Sequence, residues 1–223
     1  MLVCIRILVI TIIGYYLTGC GAVSPMPDND TSSVTPIRDS KNIMDTRNSL
    51  FIAQPVPSEF SICYGHTCQN CAHVSLDKEE WDIIRQFFDP PAGSPQRERE
   101  QIRIAVGMLE HIVGKKTGTA NDKGENFQGL GLEGQMDCVD ESTNTTVYLT
   151  MLQGDGLLRW HVVDQRTSRG ISSFQAPHFT AVIRDIENGI RYAVDSWFLD
   201  NGEPPFVLPL TIWENGWKPE PSL

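Results

Sequence analysis

The sequence lacks several features that mark common functional classes. It has no basic excess, because 18 Lys and Arg stand against 28 Asp and Glu, which gives a net charge of −10. An acidic surface opposes binding to nucleic acid through basic patches. A phosphate-binding loop is also missing: in GKKTGT (114–119) no glycine stands five residues before Gly114, and Lys115 is followed by Lys116. We therefore exclude nucleic-acid and nucleotide binding, and we predict no cofactor.

The first twenty residues carry an apolar run that is too short to span a bilayer. Arg6 precedes the run ILVITIIGYY, and Leu17-Thr18-Gly19-Cys20 ends it with small residues. This pattern predicts a secretory signal peptide over residues 1–19. Its ending resembles a bacterial lipobox, which implies cleavage before Cys20 and attachment to the membrane through lipid on that sulfur. An ordinary signal peptide and a short membrane anchor are the alternatives.

The residue after the lipobox bears on localisation. The residue directly after the lipobox cysteine is Gly21. An Asp at this position would retain a lipoprotein at the inner membrane. The resemblance therefore implies an outer-membrane lipoprotein of the bacterial cell envelope that faces the periplasm. Its expected partners are the membrane, through Cys20, and a protein or peptide substrate in the envelope.

A chain of 223 residues is long enough for one domain and a tether. Residues 20–57 show little apolar periodicity and combine polar residues with five prolines, at positions 25, 27, 36, 55 and 57. Such a composition predicts a disordered tether behind the lipidated cysteine. The folded domain is predicted over residues 58–223.

Three cysteines lie close together at the start of this domain. Cys63, Cys68 and Cys71 alternate with His66 and His73. In a reducing cytosol this spacing would suggest zinc. In an exported protein it favours one local disulfide, and the sequence leaves open which two sulfurs pair.

Two helices are predicted next, both with a scaffold role. Asp77 caps the first, which places Trp81, Ile84 and Phe88 on one face. Ser94-Pro95 opens the second, whose apolar stripe runs from Ile102 to Val113.

The sequence GQMDC at 134–138 leads into a third helix. Asp137 is a favoured N-cap residue, and Gly154 supplies a stop. The Cys138 sulfur would then lie at a helix N-terminus, where the helix dipole favours a thiolate. The acidic neighbours of Cys138 act in the opposite direction, because nearby negative charge raises a thiol pKa.

Strands are predicted after this helix, over 157–163, 179–186 and 190–198. Asn188-Gly189 marks a tight hairpin between the last two. Antiparallel pairing around that turn brings His178 and Asp195 close together. Cys138, His178 and Asp195 would then act as nucleophile, base and orienter of the base, with Gln135 and the Cys138 N–H as oxyanion donors.

Two alternatives remain open for this site. His161 is a second histidine on a strand and ranks below His178 because it has no Asp on a hairpin partner. Four cysteines remain outside the signal and lipid sites, and an even number allows two disulfides, with Cys138 tied to the Cys63–Cys71 region.

The motifs Cys138-Val139-Asp140, 178–182 (HFTAV) and 193–195 (AVD) resemble those of transglutaminase-like, papain-type cysteine hydrolases. The resemblance covers roughly residues 130–200. It implies an α+β fold in which N-terminal helices and the nucleophile helix pack on an antiparallel sheet that carries His and Asp. It also implies a thiol hydrolase or acyltransferase acting on peptide amides. A non-catalytic binding or assembly lipoprotein with a structural Cys138 is the alternative.

Overall fold

A computed structural model describes residues 51–126, 129, 131–170 and 177–220. The elements in chain order are β1 (Phe60–Tyr64), β2 (Asn70–Val74), α1 (Lys78–Gln86), α2 (Pro95–Thr117), α3 (Cys138–Gly154), β3 (His161–Arg169), β4 (His178–Asp185), β5 (Arg191–Asp195), β6 (Phe206–Pro209) and α4 (Leu210–Glu214). Strands β1 and β2 form one antiparallel sheet, and β3-β4-β5-β6 form a second. The fold is therefore mixed helix and antiparallel sheet, as the α+β prediction states.

The first three helices begin where the sequence predicts. Asp77 caps α1 with a full capping box to Glu80, and Ser94 caps α2 with proline in its first turn. Asp137 caps α3, and its carboxylate accepts from the N–H groups of Val139 and Asp140. These starts depend on side chains within three residues of the cap, which is why sequence alone locates them.

Helix α3 lies at the centre of the domain. It packs against β1, against α2 and against the four-stranded sheet. Asn144, in its middle, accepts from the Cys63 N–H at 2.7 Å and donates to the Cys63 carbonyl at 2.8 Å, which attaches β1 to the helix. The apolar core on both sides of α3 includes Ile102, Leu149 and Ile183.

The four-stranded sheet departs from prediction at its first strand. The predicted strand 157–163 begins later, at His161, and continues to Arg169. The Glu98 carboxylate of α2 accepts from the N–H groups of residues 159–161, so these residues are bonded to a side chain before the ladder begins. The last predicted strand also ends earlier than expected, at Asp195.

The chain before β1 is attached to the domain. The Ile52 N–H donates to Ser61 Oγ at 3.1 Å, and the Leu76 N–H donates to the Pro57 carbonyl at 2.8 Å. Phe51 packs against the main core. Residues 51–57, predicted as the end of the tether, therefore contact the folded domain.

The last part of the described chain closes the far edge of the sheet. Strand β6 pairs with β5 and leads directly into α4, which buries Trp213 completely. The tail thus joins the sheet as an edge strand followed by a short helix. In the part of the chain that the structure describes, no helix is both long and apolar enough to cross a membrane.

Candidate functional site

Cys138 is the first residue of α3, and its sulfur is half-buried. The thiol donates to the Pro177 carbonyl at 3.8 Å, and the backbone N–H of Phe179 faces the sulfur. Pro177 and Phe179 flank His178 in the chain. The start of β4 thus brings the backbone on both sides of His178 against the Cys138 side chain.

His178 and Asp195 form the hydrogen bond that the hairpin register predicts. The register of β4 and β5 pairs Ala181 with Val194, and one further step places Thr180 opposite Asp195. His178 is two residues from Thr180 and therefore lies on the same face. His178 Nε2 lies 2.7 Å from Asp195 Oδ2. Because a carboxylate oxygen accepts, Nε2 carries the proton and Nδ1 is left with a lone pair.

Asp195 is fixed by two further donors. The Trp213 indole N–H donates to the same oxygen, Oδ2, at 2.6 Å, and the Trp197 N–H donates to Oδ1 at 3.3 Å. Both carboxylate oxygens are thus oriented before any substrate arrives. An imidazole bonded to such a carboxylate is held in one tautomer and one orientation.

Aromatic side chains enclose the histidine. The ring centroids of Trp197, Phe198 and Trp213 lie 4.8, 5.2 and 5.4 Å from that of His178. Arg169 secures this enclosure, because its Nη2 donates to the Trp217 carbonyl at 2.8 Å and its guanidinium lies 4.3 Å from the Trp213 ring centroid. The enclosure excludes water from the His–Asp bond, which strengthens it.

The resting state of Cys138 is a thiol. Burial raises its pKa to about 11, and the negative charges of Asp137 and Asp195 raise it further, against the N–H groups of Phe179 and Cys138 itself. This shift has the opposite direction to the one expected from the helix N-terminus alone. Among the described residues His178 Nδ1 has no hydrogen-bond partner, so the two groups do not form a hydrogen-bonded pair at rest.

The loop between β1 and β2 is hydrogen-bonded to the N-terminal turn of α3. Cys63 and Cys68 are joined in a disulfide, which leaves Cys138 outside it. The N–H groups of His66 and Cys68 donate to the two Asp140 oxygens at 2.7 and 2.6 Å. The sequence region that raised the choice between zinc and disulfide therefore serves to position the nucleophile helix.

A metal-ligand grouping exists in the same place. Within the described ranges, the two disulfide sulfurs and an Asp140 oxygen lie within 4.8 Å of one another. The sulfurs are bonded to each other, and both Asp140 oxygens accept backbone N–H groups. In this state the disulfide and the Asp140 carboxylate have a structural role, because they hold the β1–β2 loop against α3. Cys71, the third cysteine of the region, lies on β2 opposite Cys63.

Gln135 lies in the loop before the nucleophile, where its side chain is engaged. Its Nε2 donates to the Asn121 carbonyl at 2.9 Å, and its Oε1 accepts from the Lys123 N–H at 3.3 Å. These bonds hold the polar loop that follows α2. In the structure the Gln135 side chain thus stabilises this loop. The donors that face the sulfur are the N–H groups of Cys138 and Phe179.

His161 lies in a separate, fully buried network. Its Nδ1 is 2.9 Å from Glu98 Oε1, and its Nε2 is 3.2 Å from Arg99 Nη1. Because a guanidinium can only donate, Nε2 accepts and Nδ1 carries the proton. Both ring nitrogens are therefore occupied far from the thiol, which removes His161 as the base.

Arg166 is a site residue that the sequence reasoning missed. Its Nη1 donates to the Val139 carbonyl at 3.0 Å and to Ser142 Oγ at 3.2 Å, both in the first turns of α3. The guanidinium is attracted electrostatically by Asp137 and would also be attracted by a Cys138 thiolate. No local pattern signals this role, because a register shift between Asp164 and Thr167 redirects the side chain.

Three buried carboxyl groups lie close together at α3 and the segments packed against it. Glu110, Asp122 and Glu141 come from α2, the following loop and α3. Burial raises the pKa of Glu110 to about 7 and that of Asp122 to about 6, and it raises the pKa of Glu141 well above its usual range. A hydrogen bond joins Asp122 to Glu141, so the pair shares a proton. Ser196, next to Asp195, bonds to Glu110 and to Thr145, which links this cluster to the site.

Comparison of the chain with protein-family models, curated proteins and solved structures found no match. The site is therefore interpreted from its own geometry. The predicted signal peptide, the lipidated Cys20 and most of the tether lie outside the described residues. The predicted triad, by contrast, lies wholly within them.

Proposed function

We propose that the domain is a thiol hydrolase or acyltransferase that acts on peptide amides, in the manner of transglutaminase-like, papain-type cysteine hydrolases. The observation that carries this proposal is the oriented His178–Asp195 pair directly beside the Cys138 thiol. With the export signal and the lipobox resemblance, we place the protein at the outer membrane facing the periplasm, anchored through Cys20.

In the proposed reaction His178 acts as a general base. When a peptide binds, the Cys138 thiol turns from the Pro177 carbonyl towards the Nδ1 lone pair of His178. Nδ1 takes the thiol proton while the sulfur attacks the carbonyl carbon of the scissile amide. Nδ1 then passes that proton to the leaving amine, and a thioester remains on Cys138. Water or a second amine attacks the thioester, which gives hydrolysis or transfer.

Negative charge on the attacked oxygen needs donors that are already in place. The N–H of Cys138, at the start of α3, is the first of these, and the Phe179 N–H is the second. Gln135 contributes by holding the loop in front of the helix. Removal of one such donor typically costs about 100- to 1,000-fold in rate.

A second function has an observation in its favour. The high thiol pKa and the missing Cys138–His178 hydrogen bond are what a non-catalytic domain would show. In that case the protein is an envelope binding or assembly lipoprotein, and Cys138 is a buried structural thiol. Catalytic hydrogen bonds often form only with substrate bound, so the resting geometry permits both functions.

Incorporation of heavy oxygen from water separates the two. The full chain, purified in detergent without reductant, is incubated with a pool of envelope-derived peptides in H₂¹⁸O, and new C-termini are identified by mass spectrometry. A parallel reaction contains hydroxylamine, which captures a thioester as a hydroxamate. We expect both products from wild type and from Cys71→Ala, which alters a cysteine on β2.

Cys138→Ala should remove both products, and His178→Gln should lower their rate by about 100-fold or more. If wild type yields no more ¹⁸O-labelled termini or hydroxamate than Cys138→Ala, the proposed enzyme is wrong. Peptides retained by both proteins would then identify the binding lipoprotein.

A further inference from the structure

A cleft opens beside the nucleophile on the face of the sheet. It has a volume of about 590 Å³, and its lining consists of Gln165, Arg166, Thr167, Ser168, Phe179 and Arg191. No acidic residue is among them, although the whole chain carries a net charge of −10. A cationic cleft on an acidic protein attracts anions, which the rest of the protein surface repels.

The cleft and the thiol share two residues. The Phe179 backbone N–H faces the Cys138 sulfur, and its residue forms part of the cleft wall. The Arg166 guanidinium lies where it would attract a Cys138 thiolate, and it is 5.5 Å from the Phe179 ring centroid. A ligand that enters the cleft therefore approaches the thiol.

Arg166 is held so that part of its guanidinium is left for a ligand. Its hydrogen bonds to described residues, which reach Val139, Ser142 and Thr143, all run from Nη1. Nε and Nη2 make none to the described part of the chain, and these two nitrogens form an edge that matches a carboxylate. Because the Nη1 bonds fix the side chain, little conformational entropy is lost when that edge binds.

The charges around the cleft leave a positive balance. Arg191 and Arg184 share one acid, Asp164, whose Oδ2 lies 3.1 and 3.7 Å from their Nε atoms. Arg166 forms no ion pair with any described residue, and the carboxylate whose charge acts on it is that of Asp137. The Asp137 carboxylate already accepts from the N–H groups of Thr67, Val139 and Asp140.

We infer that this cleft binds a carboxylate of the substrate, with Arg166 as the primary contact and Arg191 as the second. The substrates of the site are thus acidic peptides, cleaved or transferred at an amide close to the carboxylate. The cleavage or transfer of these peptides rests on the proposed function, whereas the preference of the cleft for anions does not depend on turnover. The carboxylate can belong to an Asp or Glu side chain or to a peptide C-terminus.

Two alkylating reagents test the anion preference without any substrate. Iodoacetate is a carboxylate and iodoacetamide is its neutral analogue, and both label a thiol with loss of iodide. The rate ratio of the two at Cys138 is measured at pH 9 by peptide mass mapping on the full chain. We expect Arg166→Gln to lower the iodoacetate-to-iodoacetamide ratio by about tenfold, as loss of a charge-assisted hydrogen bond does. Arg166→Lys should retain most of the ratio, because it keeps the charge.

Arg159→Gln is the matched control. It removes one positive charge from an exposed residue outside the lining of the cleft, so the ratio should change less than twofold. An equal ratio in wild type and Arg166→Gln, or an equal loss in Arg159→Gln, overturns the inference. Arg191→Gln offers a second test that leaves the Arg166 contacts with α3 intact, and it should lower the ratio by about threefold.

Peptide pairs then identify the source of the carboxylate. One pair differs by Glu against Gln at an internal position, and the other by a free acid against an amide at the C-terminus. Each is assayed for protection of Cys138 from iodoacetamide and for ¹⁸O incorporation. Protection by one acidic member, lost in Arg166→Gln, supports the cleft even if no ¹⁸O is incorporated, in which case only the enzyme fails. Turnover without any acid preference retains the enzyme and refutes the cleft.

Discussion

Glu110→Gln should stabilise the domain at alkaline pH and leave it almost unchanged at acidic pH. The Glu110 side chain is fully buried beside Asp122, and this raises its pKa from 4.5 to about 7. A carboxyl group whose pKa is raised on folding binds its proton more tightly in the native state. Its contribution to stability is therefore present below the unfolded pKa, near pH 4.5, and is lost as the pH rises through about 7.

The two pKa values give the size of the effect. Their difference corresponds to about 3 kcal/mol between pH 4.5 and pH 8. Glutamine keeps an oxygen that can accept from the Gly202 N–H and from Ser196, but it never becomes charged. At pH 8 we expect Glu110→Gln to be more stable than wild type by about 1–3 kcal/mol, and at pH 5 to match it within about 1 kcal/mol.

Urea unfolding followed by tryptophan fluorescence at pH 5 and pH 8 measures both values. Glu187→Gln changes an exposed glutamate in the hairpin turn and serves as the control, with the same pH slope as wild type. If wild type is equally stable at both pH values, or if Glu110→Gln retains the wild-type slope, the buried carboxyl is not the source of the effect.

Two further substitutions test the contacts that position the site. Trp213→Phe keeps an aromatic ring beside His178 but removes the donor to Asp195 Oδ2. We expect turnover to fall about tenfold with little change in KM, measured as ¹⁸O incorporation against peptide concentration. An unchanged rate would show that the indole N–H does not orient the carboxylate. Asp140→Ala leaves the N–H groups of His66 and Cys68 without their acceptor and should cost about 2–4 kcal/mol in urea unfolding, against less than 0.5 for exposed Glu133→Ala; equal losses would contradict the role of Asp140 as an anchor for the disulfide loop.

Features controlled by nearby residues could be predicted from the sequence. The caps of α1 and α3 involve side chains within three residues, and the Asn188-Gly189 turn fixes the register of β4 and β5. That register alone brings His178 to Asp195. The mixture of helices and antiparallel sheet and the His178–Asp195 hydrogen bond are accordingly the predicted features that are present in the structure.

The β1–β2 hairpin was missed because its loop has no turn signature. Residues 65–68 all have positive φ angles, and three of them are His66, Thr67 and Cys68 instead of glycine or asparagine. Such residues rarely adopt this conformation, which costs about 1–3 kcal/mol each. The carboxylates of Asp137 and Asp140 offset that cost by accepting from the loop, and these partners lie about 70 residues away in the chain.

The sequence offers two opposite influences on the Cys138 thiol pKa, the helix N-terminus and the acidic neighbours, and it does not show the burial that raises this pKa most. A helix N-terminus is visible in the sequence, whereas the burial of Cys138 depends on tertiary contacts such as those with Pro177 and Phe179 at the start of β4. Desolvation by these distant residues outweighs the helix dipole, whose effect on a charge is about 0.3–1 kcal/mol. The local motif GQMDC thus specifies where the nucleophile stands, and the tertiary structure specifies its protonation state.

The position of Cys138 and the high pKa of its thiol together favour one order of proton transfer and nucleophilic attack in the proposed reaction. The imidazole, its tautomer and its enclosure are complete at rest, because Asp195, Trp213 and Arg169 fix them without substrate. In the proposed reaction the Cys138 sulfur is the group that still has to move, because its thiol contacts the Pro177 carbonyl at rest. A carboxylate bound to Arg166 would offset the positive charge that attracts a thiolate, so the ligand itself makes early ionisation of Cys138 less favourable. In the proposed reaction, proton transfer to His178 then accompanies the attack of the sulfur instead of preceding it, which is the behaviour of a general base and not of a stable ion pair.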